Sequence, residues 1–241
     1  MIEFQRDSSR LDLLVGDYLV QTVIDNLPGD SLLDVGCGDG ILTGKLSDHF
    51  LRVVGVDCDA ENLRRARVGC AGNTEFISAT AERLEIDERF DVITMLMVLE
   101  HVANPVRALE RLSGFLNDTG MMFMCVPNAK SINRRIGLEM GVIENLHELS
   151  EYDLSVGHRR YYDMDALRHD IDDAGLDVVK TGGIMFKTLS SPQMEWFLAN
   201  GKWGTGEFGW GDKDAFIRAL YETGKGYPDD CNIIYAIARR G

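Results

Sequence analysis

The stretch Leu32-Leu33-Asp34-Val35-Gly36-Cys37-Gly38-Asp39-Gly40 decides the reading of this chain. Leu32, Leu33 and Val35 form a short apolar run that reads as a buried strand. Gly36, Gly38 and Gly40 follow at alternate positions, and Ile41 to Phe50 continues as a helix. A strand, a glycine turn and a helix start let a ligand approach backbone and offer it unpaired N–H groups. Downstream, Val53-Val54-Gly55-Val56-Asp57 reads as a second buried strand ending in a carboxylate. An acid at that position of a nucleotide-binding βαβ unit can accept hydrogen bonds from both ribose hydroxyls.

Glycine spacing separates two classes of ligand. The dinucleotide fingerprint G-x-G-x-x-G requires glycine at position 41, where this chain has Ile41. A nicotinamide-dependent oxidoreductase on a similar fold is therefore the second reading. A cofactor-binding scaffold without catalysis is the third.

Working outward, strands are expected at about 31–35, 52–57, 74–78, 90–97, 120–126, 176–179 and 232–238. Helices are expected at 8–27, 40–49, 60–68, 104–116 and 163–174. Ser8 or Ser9 would cap the first of these. Alternation of strand and helix calls for a mainly parallel sheet covered on both faces. Two stretches, 128–157 and 186–230, break the pattern and read as irregular insertions. The expectation is an α/β chain forming a single domain over 1–241. It comprises a cap helix within 1–29, a core over 30–127 and the two insertions.

Composition narrows the function classes. The chain has 241 residues, 45% hydrophobic and 27% charged, which suits a globular domain. Its net charge of −14 opposes a polyanionic partner, and the pairs Arg134-Arg135 and Arg159-Arg160 are too small to reverse that field. No nucleic acid is expected as substrate. No apolar run reaches membrane-spanning length, and residues 1–10 lack a signal peptide's apolar core, so a cytoplasmic address is expected. The five cysteines, 37, 58, 70, 125 and 231, form no C-x-x-C pair and read as reduced core residues.

A second informative stretch runs Phe90-Asp91-Val92-Ile93-Thr94-Met95-Leu96-Met97-Val98-Leu99-Glu100-His101-Val102, followed by Asn104-Pro105. It delivers Glu100 and His101 to the carboxyl end of a buried strand, the edge where ligands bind in open α/β sheets. With G-x-G-x-G after Asp34, this resembles the class I S-adenosylmethionine-dependent methyltransferases. Within that class it resembles the small-molecule subgroup that includes the ubiquinone-biosynthesis O-methyltransferases. The resemblance covers about residues 30–127 and extends more weakly through Gly157-His158-Arg159-Arg160-Tyr161-Tyr162 to Val179.

The resemblance implies a Rossmann-like, doubly wound, seven-stranded sheet with helices on both faces. Its strand order would be 3-2-1-4-5-7-6, with the last strand antiparallel; the two irregular stretches would then be insertions after strands 5 and 6, which the resemblance does not cover. It implies S-adenosylmethionine as cofactor and S-adenosylhomocysteine as product. Gly36, Cys37, Gly38 and Gly40 would approach the methionine and ribose part. Asp34 would orient that loop or bind the amino group. Asp57 would accept from the ribose, and Cys58 would flank the adenine. Ala81 and Glu82 lie in the loop that contacts the adenine edge, although Thr80 stands where many relatives carry Asp. Met97 or Val98 would line the methionine pocket.

The acceptor would be a small molecule, aromatic or partly apolar, methylated on oxygen or nitrogen with oxygen favoured. His101 is the leading general-base candidate, because an ordinary imidazole changes charge near neutrality. Its other reading is a local structural hydrogen bond. Glu100 would orient the imidazole or cap the next helix. His158 and His147 flank the first insertion, each as base, substrate contact or surface group. His49 and His169 read as non-functional. Tyr161 and Tyr162 would wall the acceptor pocket or pack their helix. Trp196, Trp203, Phe208 and Trp210, punctuated by glycines, suit a closing lid or a homodimer surface. No compact Asp/Asp/Asn set is visible, so no metal is expected.

Overall fold

The computed structural model describes residues 10–70, 72–204 and 211–241. Seven strands form one sheet in the order β3-β2-β1-β4-β5-β7-β6. They are β1 (Ser31–Val35), β2 (Arg52–Asp57), β3 (Thr74–Ser78), β4 (Phe90–Leu96), β5 (Leu116–Pro127), β6 (Leu176–Ile184) and β7 (Ile233–Arg240). β1 through β5 run parallel, and β7 is antiparallel to both β5 and β6. This is the topology that the resemblance implies.

Alternation along the strands divides the core in two. Leu33, Val54, Ile93 and Met95 face one cluster, closed by Leu109 and Leu112 of α4 (Pro105–Ser113) and by Leu167 and Ile171 of α7 (Met164–Asp173). Leu32, Val53, Val92 and Leu96 face the other, closed by α1 (Arg10–Asn26), α2 (Ile41–Ser47), α8 (Ser191–Asn200) and α9 (Lys213–Gly226). α3 (Ala60–Gly69) crosses between β2 and β3. The period of two places successive side chains on opposite faces, so strands buried on both faces read as continuous apolar runs.

Several boundaries differ from expectation for identifiable reasons. α4 ends at Ser113 because Leu116 already pairs with Phe90. The β4–β5 register shifts between Phe90 and Val92. Gly120 lies there so close that a side chain would meet the Phe90 carbonyl at 2.8 Å. α2 stops at Ser47 rather than His49. β6 runs on to Ile184 through Gly182 and Gly183, where side chains would collide with Tyr235 and Pro228.

The insertions are more regular than the sequence suggested. The first holds α5 (Ile132–Glu139) and α6 (Glu151–Ser155), the latter opened by a reciprocal Ser150–Asp153 capping box. The second is largely helical. α8 begins at a Ser190–Gln193 capping box with Pro192 in its first turn, and Asp212 caps α9. Ser8, Ser9, Phe208 and Trp210 lie outside the described residues. No helix among the described residues is long and apolar enough to cross a membrane.

Candidate functional site

The glycine turn is built by three glycines with three different tasks. All have left-handed backbone, with φ of 75°, 55° and 82° at Gly36, Gly38 and Gly40. A Cβ on Gly36 would strike Val98 at 2.4 Å, so this glycine lets the β4 turn pack beneath the loop. A Cβ on Gly40 would strike Ala66 Cβ at 2.7 Å, so this one seats α2 against α3. A Cβ on Gly38 would meet nothing within 4 Å. Of the three, only Gly38 has open space where a side chain would stand, while Gly36 is the one that lines the neighbouring cavity.

Asp57 closes the loop from the end of β2. Its Oδ2 accepts from Gly38 N at 2.9 Å and its Oδ1 from Asp59 N at 2.8 Å. Each carboxylate oxygen has a second acceptor direction available to a diol. Asp34 is buried beneath the loop, where Thr43 Oγ1 and Thr94 Oγ1 donate to its two oxygens at 2.6 and 2.7 Å. Burial raises its pKa, against the lowering effect of those hydroxyls. These bonds tie β1, α2 and β4 together. Cys37 is buried, with its thiol pKa raised by burial; Cys58 is exposed. Ala81 is buried and Glu82 half-buried in the loop after β3.

The Phe90-Asp91 motif is explained by its bonds. Asp91 Oδ2 accepts from Asp30 N, Ser31 N and Ser31 Oγ at 2.9–3.0 Å, fixing the start of β1 against β4. At the other end of β4, Met97 has φ 60°, a conformation that costs a non-glycine residue about 1–3 kcal/mol. The turn that follows aims Glu100 and His101 into a cavity of about 870 Å³. Asn104, not Glu100, caps the next helix: its side chain accepts from Arg107 N at 3.0 Å.

Glu100 is fully buried, and among the described residues neither of its carboxyl oxygens has a hydrogen-bond partner. Desolvation pushes its pKa up to about 8, so it is protonated at neutral pH. The His101 and His158 rings meet edge to face with centroids 4.7 Å apart. Glu100, His101 and His158 each bring one donor atom to within 4.8 Å of the others. This set differs from the Asp/Asp/Asn pattern sought in the sequence. Its spacing lets the groups share a proton or hold one cation.

The Gly157-to-Tyr162 stretch brings His158 there. Arg159 N and Nε donate to the carbonyls of Glu100 and His101 at 2.8 and 3.0 Å. Arg160 donates to the Leu99 and Val102 carbonyls at 3.2 and 2.6 Å. Both arginines thus serve the β4 turn. Arg134 is likewise used inside the fold, stacked 3.9 Å from the Tyr161 ring centroid and bonded to the Leu146 and Glu148 carbonyls. Tyr161 walls the cavity, whereas Tyr162 is buried and donates to Asp170 at 2.8 Å.

Asp153, which sequence reasoning missed, is buried with Oδ1 3.4 Å from His158 Nδ1 and 3.1 Å from the Tyr161 hydroxyl. Lys187 and Met185 were missed too, and both line the cavity. Met185, with φ 69°, shares the left-handed conformation of Met97.

The cavity therefore collects Asp34, Gly36, Cys37, Met97, Glu100, His101 and His158 from the expected set. Gly38, Gly40, Asp57, Cys58, Ala81 and Glu82 lie outside its lining. Val98 packs against Gly36, so Met97 is the cavity-lining member of that pair. His147 stands on the surface, 3.5 Å from Asp163. Trp203 packs between Phe197 and Phe216 rather than over the cavity, and Trp196 is exposed outside it. Neither lines the cavity in this arrangement. The N-terminal half of α1 does the covering: Leu11, Val15 and Gly16 line the cavity.

Residues 9–181 match a family model described as a methyltransferase domain. The chain is 31% identical over 133 residues to a ubiquinone biosynthesis O-methyltransferase of Haemophilus ducreyi, covering 52% of this chain and 54% of that one. It is 24% identical over 196 residues to the protein of that name from Rickettsia prowazekii, covering 76% and 73%. The chain thus spans about half the length of the first relative. A solved S-adenosylmethionine-dependent methyltransferase from Mesorhizobium loti superposes with a TM-score of 0.62 at 14% identity, covering 94% of this chain and 98% of that one. At that identity the likeness speaks for the fold alone. The family match disfavours the nicotinamide reading, in agreement with Ile41. The chain belongs to the methyltransferase-domain family, whose methyl donor is S-adenosylmethionine.

Proposed function

We propose that this protein methylates an oxygen of a small, partly apolar acceptor. The observation that carries the reading is one continuous cavity that begins at the glycine loop and contains the Glu100–His101–His158 group. When bound, S-adenosylmethionine supplies a methyl group on a sulfonium, which the acceptor oxygen displaces in line, releasing S-adenosylhomocysteine.

The residues present fit that cofactor. Gly38 leaves open space beside the Asp57 carboxylate, where a ribose diol would donate. Cys58, Ala81 and Glu82 continue the same edge towards the adenine, and Met97 faces the methionine end. Leu11, Val15, Met185 and Tyr161 give the acceptor apolar and aromatic walls.

As the oxygen attacks, its proton passes to the His101–His158 pair. Asp153 beside His158 Nδ1 stabilises the imidazolium, while buried Glu100, held neutral by desolvation, leaves that task to Asp153. Because an oxygen acceptor must lose a proton as it reacts, this pair favours oxygen over nitrogen. In this reading one chain completes the site as a single catalytic domain, with α1 as its cap. Five free cysteines suit a reducing, cytoplasmic setting.

The test is methyl transfer to a panel of phenols and catechols as a function of pH. Replacing His158 or His101 by Ala is expected to lower kcat at pH 7 by about 10²–10⁴-fold. Part of the rate should return at pH 10, where phenols ionise unaided. An unchanged profile would leave positioning as the whole mechanism. Activity that is lost on chelation and restored by a divalent cation would reassign the three residues to metal binding.

A further inference from the structure

The cavity holds a charged group for which proton transfer has no use. Lys187 follows β6, lines the cavity and is only 7% exposed. Its Nζ donates to Ser191 Oγ at 2.9 Å, its one hydrogen bond among the described residues, and no carboxylate there pairs with it. Two of the three ammonium donors are left to the cavity. Burying an ammonium with no carboxylate in direct contact is costly, and a ligand carboxylate would complete its donor set. Burial lowers its pKa to about 8, with Asp12 acting in the opposite direction. Ser190 and Ser191, at the amino end of α8, share the same wall and add the favourable end of the helix dipole.

Two carboxylates also line this region. Glu195 of α8 accepts from Leu11 N at 2.6 Å and is thereby engaged in holding α1. Asp12 lies exposed in the first turn of α1. Asp12 is exposed and screened by solvent and Glu195 is held by Leu11 N, so the buried ammonium acts by direct contact, and with no surplus of positive charge around it the site suits at most a monoanion. An ammonium is a point charge and takes a carboxylate without requiring a planar fork.

We propose that Lys187, with Ser191, docks a single carboxylate carried by the methyl acceptor, so that the substrates are small hydroxylated carboxylic acids. This rests on the cavity being the acceptor site of a methyltransferase. It makes Lys187 a specificity residue, apart from the residues that handle the proton.

The test is calorimetric titration of the S-adenosylhomocysteine-saturated full chain with 3-hydroxybenzoate and 3-hydroxybenzamide. The two match in shape and hydroxyl and differ in charge. The acid is expected to bind about tenfold or more tightly than the amide, the scale of a charge-assisted hydrogen bond. Lys187→Met should bring the two within about twofold while leaving S-adenosylhomocysteine affinity unchanged, and Ser191→Ala should narrow the gap by a smaller factor. Equal binding of acid and amide to the wild type, binding of neither, or a preference that survives in Lys187→Met would each overturn the subsite. Failure of S-adenosylhomocysteine itself to bind would overturn the methyl-transfer reading instead, and is seen before either acceptor is added.

Discussion

Glu100 is enclosed by protein, with no hydrogen bond to either carboxyl oxygen among the described residues. Its pKa rises from an ordinary 4.5 to about 8 on folding because burial disfavours the charge. Between those values the folded chain binds more protons at this site than the unfolded chain does. Stability contributed by the site is therefore greatest below the unfolded value and declines as pH rises towards 8. Glu100→Gln stays neutral throughout. Relative to wild type it should gain stability by up to a few kcal/mol at pH 8 and little at pH 5, read by urea denaturation at both. A stability difference independent of pH would mean that Glu100 is already ionised in the fold.

The neighbours of Glu100 show which residues a sequence can reveal. Asp57 and Gly38 stand 19 positions apart on consecutive elements, and their bond is implied by a local motif. His101 is legible for the same reason. Asp153 and Lys187 are not: nothing local marks either, and both reach the site through long-range packing of the insertions. The Gly-His-Arg-Arg-Tyr-Tyr stretch was visible, but its purpose was not. Only the structure shows both arginines bonded to the carbonyls of the turn that carries Glu100 and His101.

At the scale of elements, the glycine loop and β4 turn form the base of the site, and their tolerance to change should differ by position. Gly40→Ala combines left-handed backbone with a clash against Ala66, whose Cα is backbone that cannot move aside. It should cost about 2–4 kcal/mol of stability in urea denaturation. Gly38→Ala meets no neighbour and carries only the backbone strain, about 1–2 kcal/mol. Its larger effect should be on binding, since the new methyl group occupies the open face. Equal stability losses would contradict the division of labour among the glycines.

The central parallel strands were legible because β1, β2 and β4 are short, largely apolar runs, the first of them ending at the glycine turn. α8 and α9 were not. Glycines between Gly201 and Gly211 dominated the reading of that insertion, although the Ser190–Gln193 capping box and the Phe216, Ile217, Leu220, Tyr221 spacing mark two helices. The local helix signals were present, and the glycine-rich link between them concealed the pair.

For the whole molecule, the sheet divides two cores, and the cavity opens at the carboxyl ends of β1 and β4 where the chain reverses its winding. α1, the β4 turn, the first insertion and the segment after β6 each contribute one wall. The physical content of the glycine loop is one open glycine, one carboxylate and two packing contacts. The rest of the cavity, where the proposed acceptor would bind, comes from segments whose register no motif announces, so cofactor class was readable from sequence and acceptor chemistry was not.

The central claim is that the loop and Asp57 hold S-adenosylmethionine and its product. The most direct measurement is calorimetric titration of the purified protein with S-adenosylhomocysteine, with NAD as control and Asp57→Ala alongside. The account predicts micromolar binding of S-adenosylhomocysteine, none of NAD, and a loss of about 1–3 kcal/mol in the variant, the range for removing a buried hydrogen-bond partner. Preference for NAD, or an affinity indifferent to Asp57, would contradict it.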